Sequence, residues 1–295
     1  MTNNSSIAAH LFLVFACLAW GGSYAVGRFG LSEGSALWLT LWRWGPGAVL
    51  FAAYLILKWD QHGSIIRANL PRLTLISALG VVVYPATLFM AVAQTTALNA
   101  SLYLSVAPVL IVLISSFVWK ERVGLVGAAA VLFGLLGALV LVFRGSLEAL
   151  FAFQIASSDI WAIVSALAWA GYCVSLPLKP AGLSEVSFLG VLVVIGSLVL
   201  AALAVASGGI VPMPDTPLVA WSMVYFALFP SILAFLAWNW GTRRVGPSIA
   251  APYNNLVPFF GGALGVLLLG ERIETYHLWG GSFVVLGLVL NSMRR

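Results

Sequence analysis

Ten runs of mainly apolar residues, each about as long as a membrane-crossing helix, fill most of this chain of 295 residues. They lie at approximately 10–28, 36–58, 74–94, 99–119, 124–143, 159–177, 186–206, 218–239, 248–269 and 277–293. An α-helix rises 1.5 Å per residue, so roughly 20 residues cross a hydrocarbon core about 30 Å thick. Inside that core every backbone polar group needs a partner within the protein, and a helix supplies it within its own segment. Only 8% of the residues are charged, against about a quarter in a soluble domain, which leaves too few to coat a water-facing surface. The expectation is an all-α membrane protein with ten transmembrane helices. The net charge of +5 does not point to nucleic acid, because the basic residues are scattered through short loops and form no single face. Cys17 and Cys173 both sit inside apolar runs and suggest no disulfide framework. The opening MTNNSSIAAH has no basic leading region and no clear cleavage site, so it reads as the start of a retained first helix.

Lysine and arginine favour the cytoplasmic loops of membrane proteins. With a cytoplasmic N-terminus and ten spans, Lys58, Arg67, Arg72, Lys120, Arg122, Lys179, Arg243, Arg244, Arg294 and Arg295 fall inside. Arg28, Arg144 and Arg272 fall outside, and Arg43 lies within a span. Both termini are therefore expected on the cytoplasmic side.

The two halves of the chain echo one another in order. Leu18-Ala19-Trp20 returns as Leu167-Ala168-Trp169, and Tyr84-Pro85 as Phe229-Pro230. Tyr103 and Pro108 return as Tyr253 and Pro258, and Glu121-Arg122 as Glu271-Arg272. Gly127 and Gly134 return as Gly280 and Gly287. Such register indicates a duplication. The implied organisation is a first five-helix repeat over 1–145, an inter-repeat loop over 146–158 and a second repeat over 159–295. Five is odd, so the second repeat enters the membrane inverted. Inverted repeats build secondary transporters that bind substrate near the midplane, where the halves meet.

The aromatic-glycine cluster in spans 1 and 6 (LAWGGSY and LAWAGYC), the proline-centred spans 4 and 9, and the Glu-Arg pair that closes each of those spans resemble the ten-helix drug/metabolite transporter superfamily, in its EamA-type branch. LAWAGYC is most similar to the bacterial aromatic amino-acid exporters, whereas APYNNLVPFF at 251–260 is closer to the general branch. The resemblance implies a multi-pass protein of the bacterial inner membrane that exports amino acids or related metabolites. Amphipathic drug efflux is the alternative it also implies.

Trp20 and Trp169 each stand ten residues into their spans, roughly 15 Å deep, where interfacial aromatic belts do not explain them. Two readings fit: close helix packing beside the glycines, or the aromatic wall of a substrate cavity that includes Tyr24 and Tyr172. Arg43 is the one charge that must lie within a span, roughly 10 Å from its outer end. Two readings fit: it snorkels to the interface, or it faces the cavity as a cation for a carboxylate, with Arg28 and Glu33 as its neighbours on the outer loop. Tyr84, Ser101, Tyr103, Tyr253 and Asn254 are the expected hydrogen-bonding groups. Pro85, Pro108, Pro230 and Pro258 interrupt their helices and read either as bending points or as static kinks. The paired glycines of spans 5 and 10 suit close helix contact, and these spans read as scaffold.

No P-loop sequence, histidine–carboxylate metal spacing or buried acidic cluster is present, so neither a cofactor, a metal, an ATPase subunit nor an enzymatic reaction is expected. The expected partners are a small-molecule substrate and the lipid bilayer. No carboxylate must lie at mid-span, which points to facilitated efflux without an obligatory proton site. A passive channel is the competing class.

Overall fold

The computed structural model describes residues 3–27, 36–94, 97–152, 159–207, 217–269 and 273–293; the side chains of residues 24–27 and 97–104 are among those outside the description. All regular structure among the described residues is helical. The first half comprises α1 (Asn3–Gly27), α2 (Ala36–Leu57), α3 (Trp59–Ala68), α4 (Leu70–Ser77), α5 (Tyr84–Gln94), α6 (Ala97–Val118) and α7 (Leu125–Val142). A short α8 (Leu147–Phe151) follows. The second half comprises α9 (Ile160–Ser175), α10 (Glu185–Ala206), α11 (Pro217–Phe226), α12 (Ala234–Val245), α13 (Pro247–Ala250), α14 (Leu256–Leu269) and α15 (Thr275–Ser292). Among the described residues, five continuous helical stretches are long and apolar enough to cross a membrane: Leu70–Ala91, Leu125–Val142, Ile160–Leu178, Glu185–Ala206 and Ala220–Val245. Two shorter apolar helices are Ile7–Ser23 and Ser105–Val118.

Three local features depart from the sequence expectation. The first is α3, in a segment expected to be a linker. Its buried residues, Gly63 and Ile66, share a face with Trp59, whose ring lies against Gly63. Asp60 in its first turn and Arg67 in its last complement the helix dipole. A ten-residue amphipathic helix has no long apolar run, so a search for spans passes over it. Similarly, α8 interrupts the expected inter-repeat loop and is capped by Ser146, whose hydroxyl accepts from the Ala149 amide at 3.0 Å.

The second departure is at the paired prolines of spans 3 and 8. The chain is π-helical over Ala78–Val83, between α4 and α5, and over Ala227–Leu233, between α11 and α12. These stretches begin 149 residues apart, as α2 and α10 do. Pro230 has no amide hydrogen, so the Phe226 carbonyl lacks its usual donor from the next turn. The Ser231 hydroxyl donates to it at 2.7 Å.

The third departure is in span 9. One helix kinked at Pro258 was expected. Instead α13 runs into a 3-10 stretch, Ala251–Asn255, before α14 begins. Pro247 and Pro252 each stand in the first turn of their element, where a missing amide hydrogen costs nothing. The corresponding α6 has a leucine, Leu102, 150 residues before Pro252, and it continues unbroken through Pro108.

Packing crosses between the halves. Helix α1 lies against α12 and α14, α9 against α5 and α6, α2 against α10, and α7 against α15. The α7–α15 contact is set by small residues. A Cβ on Gly137 would lie 2.6 Å from the Gly280 carbonyl oxygen, and one on Gly287 would lie 2.8 Å from that of Ala130. Of the expected scaffold glycines, Gly134, Gly280 and Gly287 lie in this close backbone approach, and Gly137 joins them.

Candidate functional site

The tryptophans of the two echoed motifs meet. Trp20 on α1 and Trp169 on α9 pack edge to face, with ring centroids 5.2 Å apart and planes at 89°. Around them lie Tyr84 (4.8 Å from Trp169), Trp238 (5.3 Å from Trp20) and Phe235 (5.8 Å from both). Trp44 extends the cluster, 4.9 Å from Phe235. Edge-to-face and tilted geometries of this kind let the positive ring edge meet the negative ring face. Trp44, Tyr172, Phe235 and Trp238 are fully buried.

Each motif tryptophan has a hydrogen-bond acceptor. The Trp20 indole donates to the Pro230 carbonyl at 2.7 Å. The Trp169 indole donates to Asn254 Oδ1 at 3.1 Å, and Asn254 Nδ2 donates to the Ala251 carbonyl at 3.2 Å. Both indole N–H groups are therefore satisfied by parts of the chain where the helix is irregular: the π-helical stretch for Trp20, the 3-10 stretch for Trp169.

Arg43 on α2 is buried, at 7% exposure. Its Nε donates to Ser231 Oγ at 2.9 Å and its Nη2 to the Pro230 carbonyl at 3.3 Å. The guanidinium carbon is 5.6 Å from the Trp44 ring centroid. The snorkelling expectation does not describe this side chain, which points to the bundle interior. Arg28 and Glu33, the expected neighbours, lie outside the described residues.

The other candidates divide. Tyr172 stacks on Trp169 at 5.6 Å, but its hydroxyl donates to Asn239 Oδ1 at 2.8 Å, on α12. The Tyr253 hydroxyl is hydrogen-bonded to His10 Nδ1 at 2.7 Å. His10 is ten residues before Trp20 on α1, roughly 15 Å along the helix, so Tyr253 serves a different level of the bundle. Cys17 supports the same segment by donating to the Tyr253 carbonyl at 3.0 Å. Pro85, Pro108 and Pro230 are buried, and Pro258 is partly so. The side chains of Tyr24, Ser101 and Tyr103 lie outside the described residues.

Sequence reasoning passed over Phe235 and Trp238 as site residues, although a signal was present. Ser231, Phe235, Trp238 and Thr242 recur at helical spacing, and all four are buried. Asn239, next to Trp238, accepts from the Tyr172 hydroxyl.

Polar contacts gather at the bundle end that carries His10. Glu185 at the start of α10 pairs with Arg243 of α12 and lies 3.9 Å from Lys179. Burial lowers the pKa of Lys179; Glu185 opposes that shift and Arg243 adds to it. Ser187 is hydrogen-bonded to His62 Nδ1 at 3.1 Å, joining α10 to α3. Two open clefts, of about 510 and 530 Å³, lie where loops meet helix ends, beside Arg144 and Tyr276 and beside Glu121 and Val245. Neither includes a residue of the aromatic cluster, whose rings join α1, α5, α9 and α12.

Known proteins resemble this chain over nearly its whole length. The model of the EamA-like transporter family matches twice, over residues 7–143 and 156–293. The uncharacterized transporter YyaM of Bacillus subtilis is 24% identical, over 91% of this chain and 87% of its own. An uncharacterized transporter of Archaeoglobus fulgidus is 24% identical, over 97% of this chain and 98% of its own. The uncharacterized inner membrane transporter YicL of Salmonella typhimurium is 24% identical, over 97% and 96%. A crystal structure at 20% identity superposes with a TM-score of 0.78, covering 96% of this chain and 95% of the other, and shows the fold to be shared.

Proposed function

The chain belongs to the EamA-like transporter family, and from that premise we propose that it is a secondary transporter that exports amino acids, aromatic ones included, or related small metabolites. Ten helices in two inverted five-helix repeats, 1–145 and 159–295, cross the bacterial inner membrane with both termini in the cytoplasm. The double match of the family model and the positive-inside distribution of lysine and arginine support this arrangement.

The observation that carries the reading is the meeting of Trp20 and Trp169. Each comes from the first span of its half, and each hydrogen-bonds to a non-α segment of the second half. In an alternating-access cycle, substrate enters between these rings. A substrate ring replaces aromatic contacts already present, so opening the cluster exposes little apolar surface without compensation. Tyr84 and Asn254 supply hydrogen bonds, with Tyr24, Ser101, Tyr103, Tyr172 and Tyr253 assigned to the same path by their spans. Pro85, Pro108, Pro230 and Pro258 mark where the helices bend. Breaks in regular α-helix recur at functional sites because they free backbone groups and ease local rearrangement.

The test is counterflow in proteoliposomes with labelled phenylalanine, tryptophan, threonine and a cationic dye. Saturable exchange of the amino acids is expected, and it persists without an imposed pH gradient. Exchange of the dye alone would transfer the assignment to amphipathic drug efflux. Flux without counterflow would mark a channel.

A further inference from the structure

The reading above leaves Arg43 without a chemical role. A charged side chain deep in a spanning helix is costly and is retained where it acts. Its contacts tie α2 to the π-helical stretch, but the other half makes the matching contact without a charge. Helices α2 and α10 have the same length and begin 149 residues apart, and the residue of α10 that corresponds to Arg43 is Leu192. Leu192 is fully buried and lies beside the other π-helical segment, where the Ser77 hydroxyl donates to its carbonyl at 2.6 Å. A leucine therefore fits this kind of position.

Among the described residues the partners of Arg43 are neutral: Nε donates to a hydroxyl and Nη2 to a carbonyl, and no carboxylate there pairs with it. Both partners also have other bonds. The Pro230 carbonyl keeps the Trp20 indole at 2.7 Å, shorter than its 3.3 Å contact with Arg43. The Ser231 hydroxyl keeps its own bond to the Phe226 carbonyl. Withdrawing the guanidinium leaves neither group without a partner. It is held by contacts that can be exchanged, within a site where a carboxylate would give it two charge-assisted bonds in place of two neutral ones.

We propose that Arg43 binds the carboxylate of the transported solute, and that this carboxylate competes with Ser231 and Pro230 for the guanidinium. This rests on the transporter reading and narrows it: the solute is an acid or a zwitterion, not a simple organic cation. Binding then detaches α2 from the π-helical stretch at Ala227–Leu233, which couples occupancy to the segment proposed to bend.

The experiment compares acids with their amides on purified protein, by ligand-induced thermal stabilisation and by counterflow. The pairs are phenylalanine with phenylalaninamide and indole-3-acetate with indole-3-acetamide. The wild-type protein should prefer the acid of each pair at least tenfold. Arg43→Gln should erase the preference, and Arg43→Lys should keep part of it. Ser231→Ala should raise acid affinity several-fold by removing a competitor, an effect that a purely structural arginine would not produce. Glu33→Gln, which removes the acid nearest to Arg43 in sequence, should leave the preference unchanged. Equal binding of acid and amide, or no stabilisation by any acid, overturns the proposal. So does a preference that survives Arg43→Gln, a fall in acid affinity on Ser231→Ala, or a tenfold gain from Glu33→Gln, which would make Glu33 the standing counter-ion. Should Arg43→Gln not fold, the Lys and Ser231 variants decide. Acid-selective binding without exchange of any solute would sink the exporter reading and leave the carboxylate site standing.

Discussion

The two π-helical stretches, Ala78–Val83 and Ala227–Leu233, occupy corresponding places in the two halves and meet opposite surroundings. The first is sealed by close packing. A Cβ on Gly80 would lie 2.2 Å from Tyr172 Cδ2, and one on Gly196 of α10 would lie 2.4 Å from Val81 Cγ1. The second is held by polar contacts. Trp20 and Arg43 both donate to the Pro230 carbonyl, and Arg43 also donates to Ser231. The backbone deviation thus recurs in both halves, while its polar contacts differ, with arginine in α2 where α10 has leucine. The two halves supply matching frames, and the one unmatched charge, Arg43, gives the second stretch contacts that the first does not have.

The sharpest way to break this comparison is to put a charge on the sealed side. Leu192→Arg places a guanidinium where Leu192 is fully buried, and it should cost about 3 kcal/mol or more. The readout is recovery of monodisperse protein after detergent extraction, and recovery like the wild type would mean that either stretch can carry the charge. A smaller loss is expected from Gly80→Ala, which forces the new methyl into the Tyr172 ring. Overpacking of this kind typically costs about 1–3 kcal/mol, read as a lowered unfolding midpoint in detergent. Trp20→Phe removes the indole donor from the Pro230 carbonyl and leaves Arg43 as its side-chain partner. A loss of about 1 kcal/mol is expected on the same scale, and a much larger one would show that the two donors are not interchangeable. The smallest effect belongs to Gly47→Ala on α2. Its Cβ would meet the flexible end of Ile232, in the polar stretch, at 3.1 Å. The gain in helix propensity, up to about 1 kcal/mol, should roughly offset that contact, so the midpoint should barely move. A loss as large as that of Gly80→Ala would mean that both stretches are sealed alike.

Much of the candidate site was legible because its tryptophan motif is written twice. Trp20 and Trp169 stood out by their echo, and Arg43 by being the one charge that no loop could take. The glycines of α7 and α15 were readable from their seven-residue spacing, which puts each pair on one stripe. Other features were not legible. Helix α3 lacks an apolar run, so hydropathy gave no sign of it. Tyr253 sits in the same motif as Asn254, yet its hydroxyl bonds to His10 while Asn254 meets Trp169. Neighbours in sequence leave a helix about 100° apart, and the added 3-10 turn changes that angle again. Motif membership therefore did not predict a shared target.

Sequence alone located most of the long apolar helices and the neighbourhoods of Pro85 and Pro230, where regular α-helix gives way. Those outcomes depend on local quantities: the length of an apolar run, the amide hydrogens that prolines lack and the charges that must reach water. Only the tertiary structure decided which groups share a site. The Trp20–Pro230 bond spans 210 positions and the Arg43–Ser231 bond 188. No periodicity reports contacts at that range, because they depend on how separate helices cross and which faces they turn towards each other. The same physics explains the unequal fates of Arg43 and Leu192, which hold matching places on matching helices and differ in the partners that the fold brings to them.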